Sequence, residues 1–142
     1  MTIAQRAAFL IAVFEGCKLT AYPDPMLGWT VPTIGFGHTE KVKRGDTCTY
    51  DQAVAWMAQD DAPLIRLVVD RPVLEAGALV SFGHNCGVGS LLRVLSGEIT
   101  VDHEEFWAQG QPFGERSGNL HPLGLRARRN LEASDIELSR GV

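Results

Sequence analysis

The chain has 142 residues, of which 45% are hydrophobic and 21% charged, and a formal net charge of −4 at pH 7. A chain of this length can form one domain without disulfides or a structural metal, and its composition excludes low-complexity, collagen-like and disulfide-scaffold proteins. The acidic balance gives no general attraction to phosphate backbones and argues against a nucleic-acid partner. We expect a single domain over residues 1–142.

The first predicted helix covers about residues 2–14. Its apolar residues recur at intervals of three and four, which forms one apolar face of a helix, and Gly16 is placed to end it. The most apolar stretch, residues 9–14, is too short to span a bilayer or to form a signal-peptide core. We therefore expect no membrane insertion and a protein that starts in the cytoplasm.

Residues 16–48 are rich in Gly and Pro and contain two short β-prone runs, residues 29–31 and 33–36. This texture predicts a small antiparallel sheet with many turns. The odd number of cysteines fits free thiols better than a disulfide framework, so we expect all three to be reduced: Cys17, Cys48 and Cys86.

The remainder of the chain is predicted to be helical. Thr49, followed three residues later by Gln52, matches a capping box and predicts a helix to about Gln59. Pro63 and Pro72 predict a kink or break between them. Further helices are predicted at residues 73–85, 90–95, 101–108 and 123–138, with a loop at residues 109–122. One helix, a small sheet and a helical remainder form an α+β pattern.

Two carboxylates lie in contrasting surroundings. Glu15 follows an apolar run at a helix end, where burial favours its protonated form, whereas Asp24 lies between two prolines in an open turn and should stay ionised. Glycosidic bond cleavage needs such a pair, one carboxyl to protonate the leaving oxygen and one to activate water. Taken singly, Glu15 could be a solvent-facing residue and Asp24 a turn former.

The segment T-I-G-F-G at residues 33–37 adds a second feature. Strand alternation puts Thr33, Gly35 and Gly37 on one face, so a hydroxyl lies beside two positions without side chains, against which a substrate could lie closely. The alternative is an edge strand weakened by glycine, with no ligand. Together with the two carboxylates, the segment favours a saccharide-cleaving site.

The pattern E-G-x-x-L-x-A-Y-x-D at residues 15–24, with T-I-G-F-G-H-T at residues 33–39, resembles the catalytic motif of phage-type lysozymes, glycoside hydrolase family 24. The resemblance continues through residues 79–89, 91–97 and 124–132. It implies a lysozyme-like α+β fold with a cleft between a small β lobe, about residues 15–48, and a helical lobe, about residues 49–142 plus the N-terminal helix.

The resemblance implies an endolysin, a hydrolase that degrades bacterial peptidoglycan and causes host cell lysis. Glu15 would be the general acid, Asp24 the second carboxylate that activates water, and Thr33 the residue that positions this water. The bond cut would join N-acetylmuramic acid to N-acetylglucosamine through a β-1,4 linkage. Inversion is implied, with carboxyl groups about 6.5–9.5 Å apart. Thr30 competes for the role of Thr33, although the sequence context favours Thr33.

Further residues are carried over by the same resemblance. Ser81, His84 and Asn85 would line the saccharide cleft, and Trp29, in the turn beside Asp24, is a further candidate for substrate contact. His84 could instead be a helix-end histidine bonded within the fold.

Arg126 corresponds to the family position whose guanidinium pairs with the catalytic Glu. Alternatively, Arg126 is an exposed member of a basic helix with Arg128 and Arg129. His38 and Asp60 match positions that form a structural ion pair, which we interpret as scaffold.

No cofactor and no metal are expected. A zinc site would need His84 and Cys86 together with His38 or Cys17, and the chain has neither a C-x-x-C nor an H-E-x-x-H motif. The expected partner is the peptidoglycan glycan strand, bound by a monomer that depends on a holin-type membrane lesion to reach the periplasm and the wall.

Two other functions stay open at this point. A lytic transglycosylase on a similar scaffold would use Glu15 alone and leave an anhydro-muramic end. A catalytically silent wall-binding or virion module would keep the fold without the chemistry. The paired carboxylates argue against the silent module, because binding alone does not require them.

Overall fold

The computed structural model describes residues 1–100 and 122–141, and side chains only outside residues 122–127. Within this part the chain forms one two-stranded antiparallel sheet and six helices, which confirms the predicted α+β class. The elements in chain order are α1 (Ile3–Glu15), β1 (Lys18–Asp24), β2 (Gly28–Gly35), α2 (Tyr50–Asp60), α3 (Ala62–Val68), α4 (Val73–Cys86), α5 (Val88–Leu95) and α6 (Pro122–Ser139).

Local sequence signals set the helix ends. Thr2 and Thr49 each form a complete capping box at the start of α1 and α2, with a side-chain oxygen that accepts an N–H bond of 3.1 Å from the residue three positions later. Gly16 ends α1, as predicted, and its N–H donates to the carbonyl of Ala12 at 2.9 Å. Glu15 is therefore the last residue of a well-defined helix.

The sheet is a hairpin whose tip is formed by residues 25–27. We predicted two separate runs after residue 28, but β2 continues through Pro32 and pairs with a strand, β1, that the sequence did not indicate. Pro23 and Pro32 are partners across the hairpin. Proline is tolerated here because a two-stranded sheet has no central strand, so a missing N–H can face away from the partner.

Helix α4 is the centre of the helical part and packs against α1, α3, α5 and α6. Residues 75–83 are all buried, which is typical of a helix surrounded by others. Gly77 allows α1 to approach closely, because a Cβ there would lie 2.6 Å from Cγ of Arg6. Arg6 also joins α1 to α6 through two hydrogen bonds to Asp135, at 2.7 and 2.8 Å. The first half of α1 is thereby fixed against α4 and α6.

Most of the other predicted helices are found within about two residues of their predicted ends. The break expected between Pro63 and Pro72 is the separate helix α3. The predicted helix at residues 101–108 and the loop at residues 109–121 lie outside the described residues. None of the helices in the described ranges has the length and apolar character that a membrane crossing would need.

Candidate active site

A cleft of ≈ 450 Å³ opens where the end of α1, the sheet and the end of α4 meet. This is within the usual size range of saccharide and small-molecule sites. The cleft brings Glu15 together with the glycine positions predicted to face a substrate, and it is lined by Phe14, Glu15, Gly16, Lys18, Tyr22, Pro25, Gly35, Phe36, Gly37 and His84.

The two carboxylate oxygens of Glu15 have different neighbours. Oε1 accepts a hydrogen bond of 2.7 Å from Nη1 of Arg128, whereas Oε2 lies 3.8 Å from Nε2 of His84. The side chain of Glu15 is 30% exposed. One oxygen is thus fixed by a guanidinium, and the other is directed to the imidazole that lines the cleft.

The Arg128 side chain is fully buried and held on all sides. Its Nη2 donates to the carbonyl and hydroxyl oxygens of Ser81, at 2.9 and 3.1 Å, and its Nε donates to Glu132 at 3.1 Å. Burial acts to lower the pKa of Arg128, but the charges of Glu132 and then Glu15 outweigh it, so this pKa is raised. Arg128 is therefore a permanently charged and rigid support for Glu15.

Arg129, also fully buried, completes the cluster. Its Nη2 donates to Glu132 at 3.0 Å, and its guanidinium lies over the ring of Phe82 at 4.9 Å. The two guanidinium charges are matched by the carboxylates of Glu132 and Glu15. The alternative of an exposed basic helix is thus wrong for Arg128 and Arg129, because both pack inward against α4.

One predicted site residue needs correction, and another is not tested. In the described residues, Arg128 makes a pair with Glu15, whereas the side chain of Arg126 lies outside them, so the pairing expected of Arg126 stays a prediction. Ser81 does not line the cleft: it is fully buried on the face of α4 that packs against α6, and its hydroxyl donates to Glu132 at 2.7 Å. Ser81 supports the arginine cluster instead of a saccharide.

His84 lies in the cleft wall and is bonded to an aspartate behind it. Its Nδ1 is 2.6 Å from Oδ2 of Asp61, and the two side chains are 17% and 12% exposed. Burial acts to lower the pKa of His84, but the hydrogen bond and charge of Asp61, with the charge of Glu15, outweigh burial and the opposing charge of Arg128. The pKa of His84 is therefore raised.

Asp24 ends β1 and shapes the hairpin tip. Its Oδ1 accepts hydrogen bonds of 2.8 Å from the backbone N–H groups of Met26 and Leu27. The cleft reaches the next residue, Pro25. Two amide donors on one oxygen hold the carboxylate in a defined orientation beside the cleft.

Tyr22 lines the cleft, and the negative charges of Glu15 and Asp24 both act on its phenol. Burial, followed by the negative charges of Glu15 and Asp24, raises the pKa of its phenol. The phenol therefore stays neutral and keeps its O–H available as a hydrogen-bond donor in the cleft.

Thr33 lies opposite Tyr22 in the hairpin and therefore shares its face of the sheet. The residue is 4% exposed, and its hydroxyl donates to the carbonyl of Val31 at 3.0 Å. Thr30 is exposed and its hydroxyl donates to the carbonyl of Leu27 in the hairpin tip. Of the two threonines, Thr33 lies on the face that carries a cleft residue.

Trp29 and Asn85 are not among the described residues that line the cleft. Trp29 is 36% exposed and stacks under the guanidinium of Arg44, 4.5 Å from the ring centroid. Asn85 is half-buried and follows His84 at the end of α4. Their predicted contacts with substrate stay predictions.

His38 and Asp60 form the contact that the resemblance implied. Nδ1 of His38 lies 2.8 Å from Oδ2 of Asp60, and the His38 ring stacks on Trp56 with centroids 4.7 Å apart. This pair joins the end of the sheet to α2, on residues that do not line the cleft.

Sequence reasoning missed Tyr22, Asp61 and the supporting role of Glu132. Tyr22 lies inside the motif from which Glu15 and Asp24 were identified. Glu132 is four residues after Arg128, the spacing at which opposite charges pair on a helix. Asp61 has no local signal, because its partner is 23 residues away.

The zinc ligands considered from the sequence have other partners. His84 binds Asp61, and Sγ of Cys86 accepts a bond of 2.7 Å from Arg129. Residues 1–100 and 122–141 contain no group of three or more ligating side chains that could hold a metal ion. Cys17, Cys48 and Cys86 are free thiols.

Two characterised sequences and a solved structure are similar to the chain. An endolysin of Acyrthosiphon pisum secondary endosymbiont phage 1 is 30% identical, over 96% of this chain and 99% of the relative. An endolysin of Lactococcus phage c2 is 39% identical over 93% of this chain, which spans 58% of that longer relative. The muramidase domain of SpmX from Asticaccaulis excentricus is 28% identical with a TM-score of 0.61, over 92% of this chain and 93% of that domain.

A family model gives the same result over most of the sequence. The model for phage lysozymes matches residues 12–132, a range that begins within α1 and ends within α6. It therefore includes Glu15, the hairpin with Asp24 and Thr33, and the buried Arg128. The chain belongs to the phage lysozyme family.

Proposed function

We propose that this chain hydrolyses the β-1,4 bond between N-acetylmuramic acid and N-acetylglucosamine in bacterial peptidoglycan, with Glu15 as general acid. The coarser part of this statement, a lysozyme-type glycosidase whose substrate is peptidoglycan, follows from membership of the phage lysozyme family. The bond, the residue roles and the stereochemical outcome are our proposal. A cell-lysing endolysin is the biological role that fits this chemistry.

The observation that carries the proposal is the arrangement of Glu15 in the cleft. Arg128 holds Oε1 at 2.7 Å, so Oε2 is the oxygen available to carry a proton towards a bound saccharide. Asp24 is the last residue of β1, which begins three residues after Glu15. Burial and the charges of both carboxylates raise the pKa of Tyr22. A binding module has no chemical need for a fixed acid in a cleft and a second carboxylate beside it.

In the proposed reaction, Oε2 of Glu15 protonates the glycosidic oxygen as the bond to the anomeric carbon breaks. Asp24 accepts a proton from a water molecule on the opposite face of the sugar, and this water attacks the anomeric carbon. We assign water binding to Oδ2 of Asp24, since Oδ1 accepts the two amide bonds of the hairpin tip. Thr33 is the proposed second contact of this water, because it shares the face of Tyr22.

The test uses Glu15→Gln with purified peptidoglycan from a Gram-negative bacterium. We expect the variant to lose turnover by a factor of at least about 10², because the amide cannot protonate the leaving oxygen. Glu40→Gln, a change of an exposed carboxyl in the loop after β2, is the matched control and should keep the activity of the unchanged protein. Equal activity of both variants would refute the role of Glu15.

The products decide the reaction type. Hydrolysis adds water, so mass analysis should give muropeptides with a reducing muramic acid, each one water heavier than the anhydro form. Inversion of the β bond should first release the α anomer, which proton NMR detects before mutarotation. Anhydro ends would instead assign a lytic transglycosylase, and no release of muropeptides would leave a binding module.

A further inference from the structure

Behind the cleft, three side chains from three different segments form a continuous acid–imidazole–acid series. Asp61 lies at the junction of α2 and α3, His84 near the end of α4 and Glu15 at the end of α1. The two ring nitrogens of His84 are divided between the two carboxylates, with Nδ1 2.6 Å from Asp61 and Nε2 3.8 Å from Glu15. A histidine that only closed the end of α4 would have no need for the second carboxylate.

We propose that His84 is a positioning residue that holds a proton at Nε2 and returns it to Oε2 of Glu15 after each bond cleavage. The inference rests on the proposed role of Glu15 as general acid, and it adds the source of the proton that Glu15 must recover for the next turnover. Asp61 is part of the same device, because it fixes the ring and its tautomer.

Hydrogen bonding determines which nitrogen faces the acid. A carboxylate accepts hydrogen bonds only, so Nδ1 of His84 carries its hydrogen towards Asp61. Nε2 is thereby left to gain or lose a proton on the side of Glu15. This is the arrangement in which an aspartate behind a histidine sets the ring orientation for proton transfer.

The charges around His84 allow it to carry a proton near neutral pH. In the described part of the chain, it faces the negative charges of Asp61 and Glu15 and the positive charge of Arg128, with Lys18 and Tyr22 on the same cleft. The two carboxylates outweigh burial and Arg128, so the pKa of His84 is raised. The imidazolium is therefore a proton reservoir beside Glu15.

The geometry also determines which oxygen of Glu15 receives the proton. Oε1 is occupied by the guanidinium of Arg128, so only Oε2 is directed to both His84 and the cleft. The 3.8 Å between Nε2 and Oε2 is longer than a direct hydrogen bond. One water molecule, or a closure of about 1 Å when substrate binds, completes the path.

The proposed cycle balances in atoms and charge. Oε2–H of Glu15 gives its proton to the glycosidic oxygen while the bond from that oxygen to the anomeric carbon breaks. Water supplies the new hydroxyl, and its other proton passes to Asp24. Glu15, now a carboxylate, takes the proton from Nε2 of His84. The neutral imidazole then recovers a proton from solvent in the open cleft, and Asp24 releases its proton to solvent, so the net change is one water consumed for each bond cut. No oxidant, metal or further reactant is required.

The relay has a measurable consequence for the pH profile. Glu15 and His84 share one mobile proton, so the pair stays competent until His84 itself deprotonates, and the alkaline limb of kcat reports that step. In His84→Gln the reservoir is removed. We expect its alkaline limb to move to lower pH by at least about one unit, with kcat near pH 7.5 reduced on the order of tenfold and KM changed by less than about twofold.

The chain offers a matched set of controls. Asp60 and Asp61 are adjacent, and each binds a histidine through Nδ1, but the pair of Asp60 and His38 does not line the cleft. Asp61→Asn should move the alkaline limb in the same direction as His84→Gln, because the amide keeps an acceptor and loses the charge. Asp60→Asn and His38→Gln should leave the position of the limb unchanged.

A measurement without turnover separates this inference from the proposed function. Titration of the His84 ring, followed by NMR and assigned with His84→Gln, should show a lower midpoint in Glu15→Gln than in the unchanged protein. Glu40→Gln should not move this midpoint. This readout holds even if the enzyme proves inactive on peptidoglycan, and a muramidase whose Glu15 and His84 titrate independently would keep the function and refute the relay.

Each outcome is decisive. The relay would be overturned if the alkaline limb of kcat lay at the same pH in the unchanged protein and in His84→Gln. A raised KM of His84→Gln without a shift of this limb would also overturn it, and His84 would then be a residue that only contacts the saccharide. If thermal unfolding shows that His84→Gln does not fold, the alkaline limbs of the kcat profiles of Asp61→Asn and Asp60→Asn are compared instead. A shift in Asp61→Asn alone supports the relay, and no difference between the two variants overturns it. The NMR comparison of Glu15→Gln with the unchanged protein supports or overturns the relay in either case.

Discussion

At the residue scale, the carboxylate of Glu15, the proposed general acid, is supported by a cluster that is wholly inside the protein. The side chains of Arg128, Arg129 and Glu132 are all fully buried, and Ser81 links two of them by hydrogen bonds. Buried charges are retained when each is paired, because an unpaired charge in the interior costs several kcal/mol. The cluster therefore makes the position of Glu15 depend on residues that substrate never contacts.

The Glu132→Gln variant tests this dependence. Loss of the carboxylate leaves two buried guanidinium groups with less compensating charge, so we expect the free energy of unfolding to fall by about 3 kcal/mol. Activity should fall as well, because Arg128 loses one of its supports. Urea unfolding measures the first effect, and Glu137→Gln on the same helix should stay within about 0.5 kcal/mol of the unchanged protein. An unchanged stability of Glu132→Gln would contradict the buried cluster.

His84 gives a pH dependence of stability whose sign follows from its raised pKa. A histidine with a raised pKa in the folded state adds stability that is fully present below its ordinary pKa of 6.5 and is lost as pH rises through the folded value. The difference in unfolding free energy between the unchanged protein and His84→Gln should therefore shrink as the pH rises above 6.5. Denaturant unfolding over this range measures it, and a difference that grows with pH would show a lowered pKa.

At this scale the sequence motif located residues at the cleft, but it did not indicate which buried side chains support them. The motif identified Glu15, Asp24 and Thr33, which the structure places at the cleft or beside it. The sequence did not identify Arg128 as a partner of Glu15, because only the packing of α6 against α4 brings the two together, and this packing joins residues far apart in the chain.

At the scale of elements, the hairpin and α2 meet at a point where no side chain fits. Gly35 has φ +66°, and a Cβ on it would lie 3.0 Å from Cβ of Ala53 on α2. The end of β2 is therefore pressed against the helix behind it. Gly35 also lines the cleft, so a change at this contact would reach the cleft wall.

Gly35→Ala and Gly45→Ala form a matched pair that isolates the contact. Both glycines have positive φ, but Gly45, with φ +93°, has nothing within 4 Å of its Cβ position. Each variant should lose about 1–2 kcal/mol of unfolding free energy from the backbone conformation. Gly35→Ala should lose a further 1–3 kcal/mol, approximately, from overpacking, and should lose activity. If urea unfolding gave the same loss of unfolding free energy for both variants, α2 would have moved away from the new side chain without an energetic cost.

The elements differ in how well the sequence predicted them. Helices α1 and α2 were placed within about one residue, because a capping box and an apolar periodicity are signals carried by neighbouring residues. The strands were less visible, since Pro23 and Pro32 are poor strand formers when considered alone. Their pairing opposite each other in a two-stranded sheet is a relation between distant positions.

At the scale of the whole molecule, the net charge of −4 means that a negatively charged cell wall repels this protein, whereas it would attract a basic one. The predicted α+β class is confirmed by the described fold, whereas the single domain and the bounds of its two lobes stay predictions. How the lobes enclose the cleft could not be predicted, because α1, β2 and α4 meet there only through tertiary packing.

We predict a salt response opposite to that of a basic wall-binding enzyme. Added salt screens the repulsion between an acidic protein and an anionic polymer, so the initial rate of peptidoglycan solubilisation should stay level or rise as the Debye length falls to about 8–10 Å. Turbidity decrease across a sodium chloride series at constant pH measures this rate. A steep fall with salt would indicate capture by a local basic surface.

The contact between Glu15 and Arg128 spans 113 residues, and that between Arg6 and Asp135 spans 129. A ribosome makes the chain from its N-terminus, so α1, the hairpin and α4 all emerge before the helix that carries Arg128. A nascent chain that has reached only α5 has the acid and the cleft wall, but it lacks the guanidinium that orients Oε1. Under the proposed mechanism, the chain becomes able to cleave the glycosidic bond only after Arg128 has been synthesised and has packed against Glu15. Translation products that stop before residue 128 are therefore expected to be inactive.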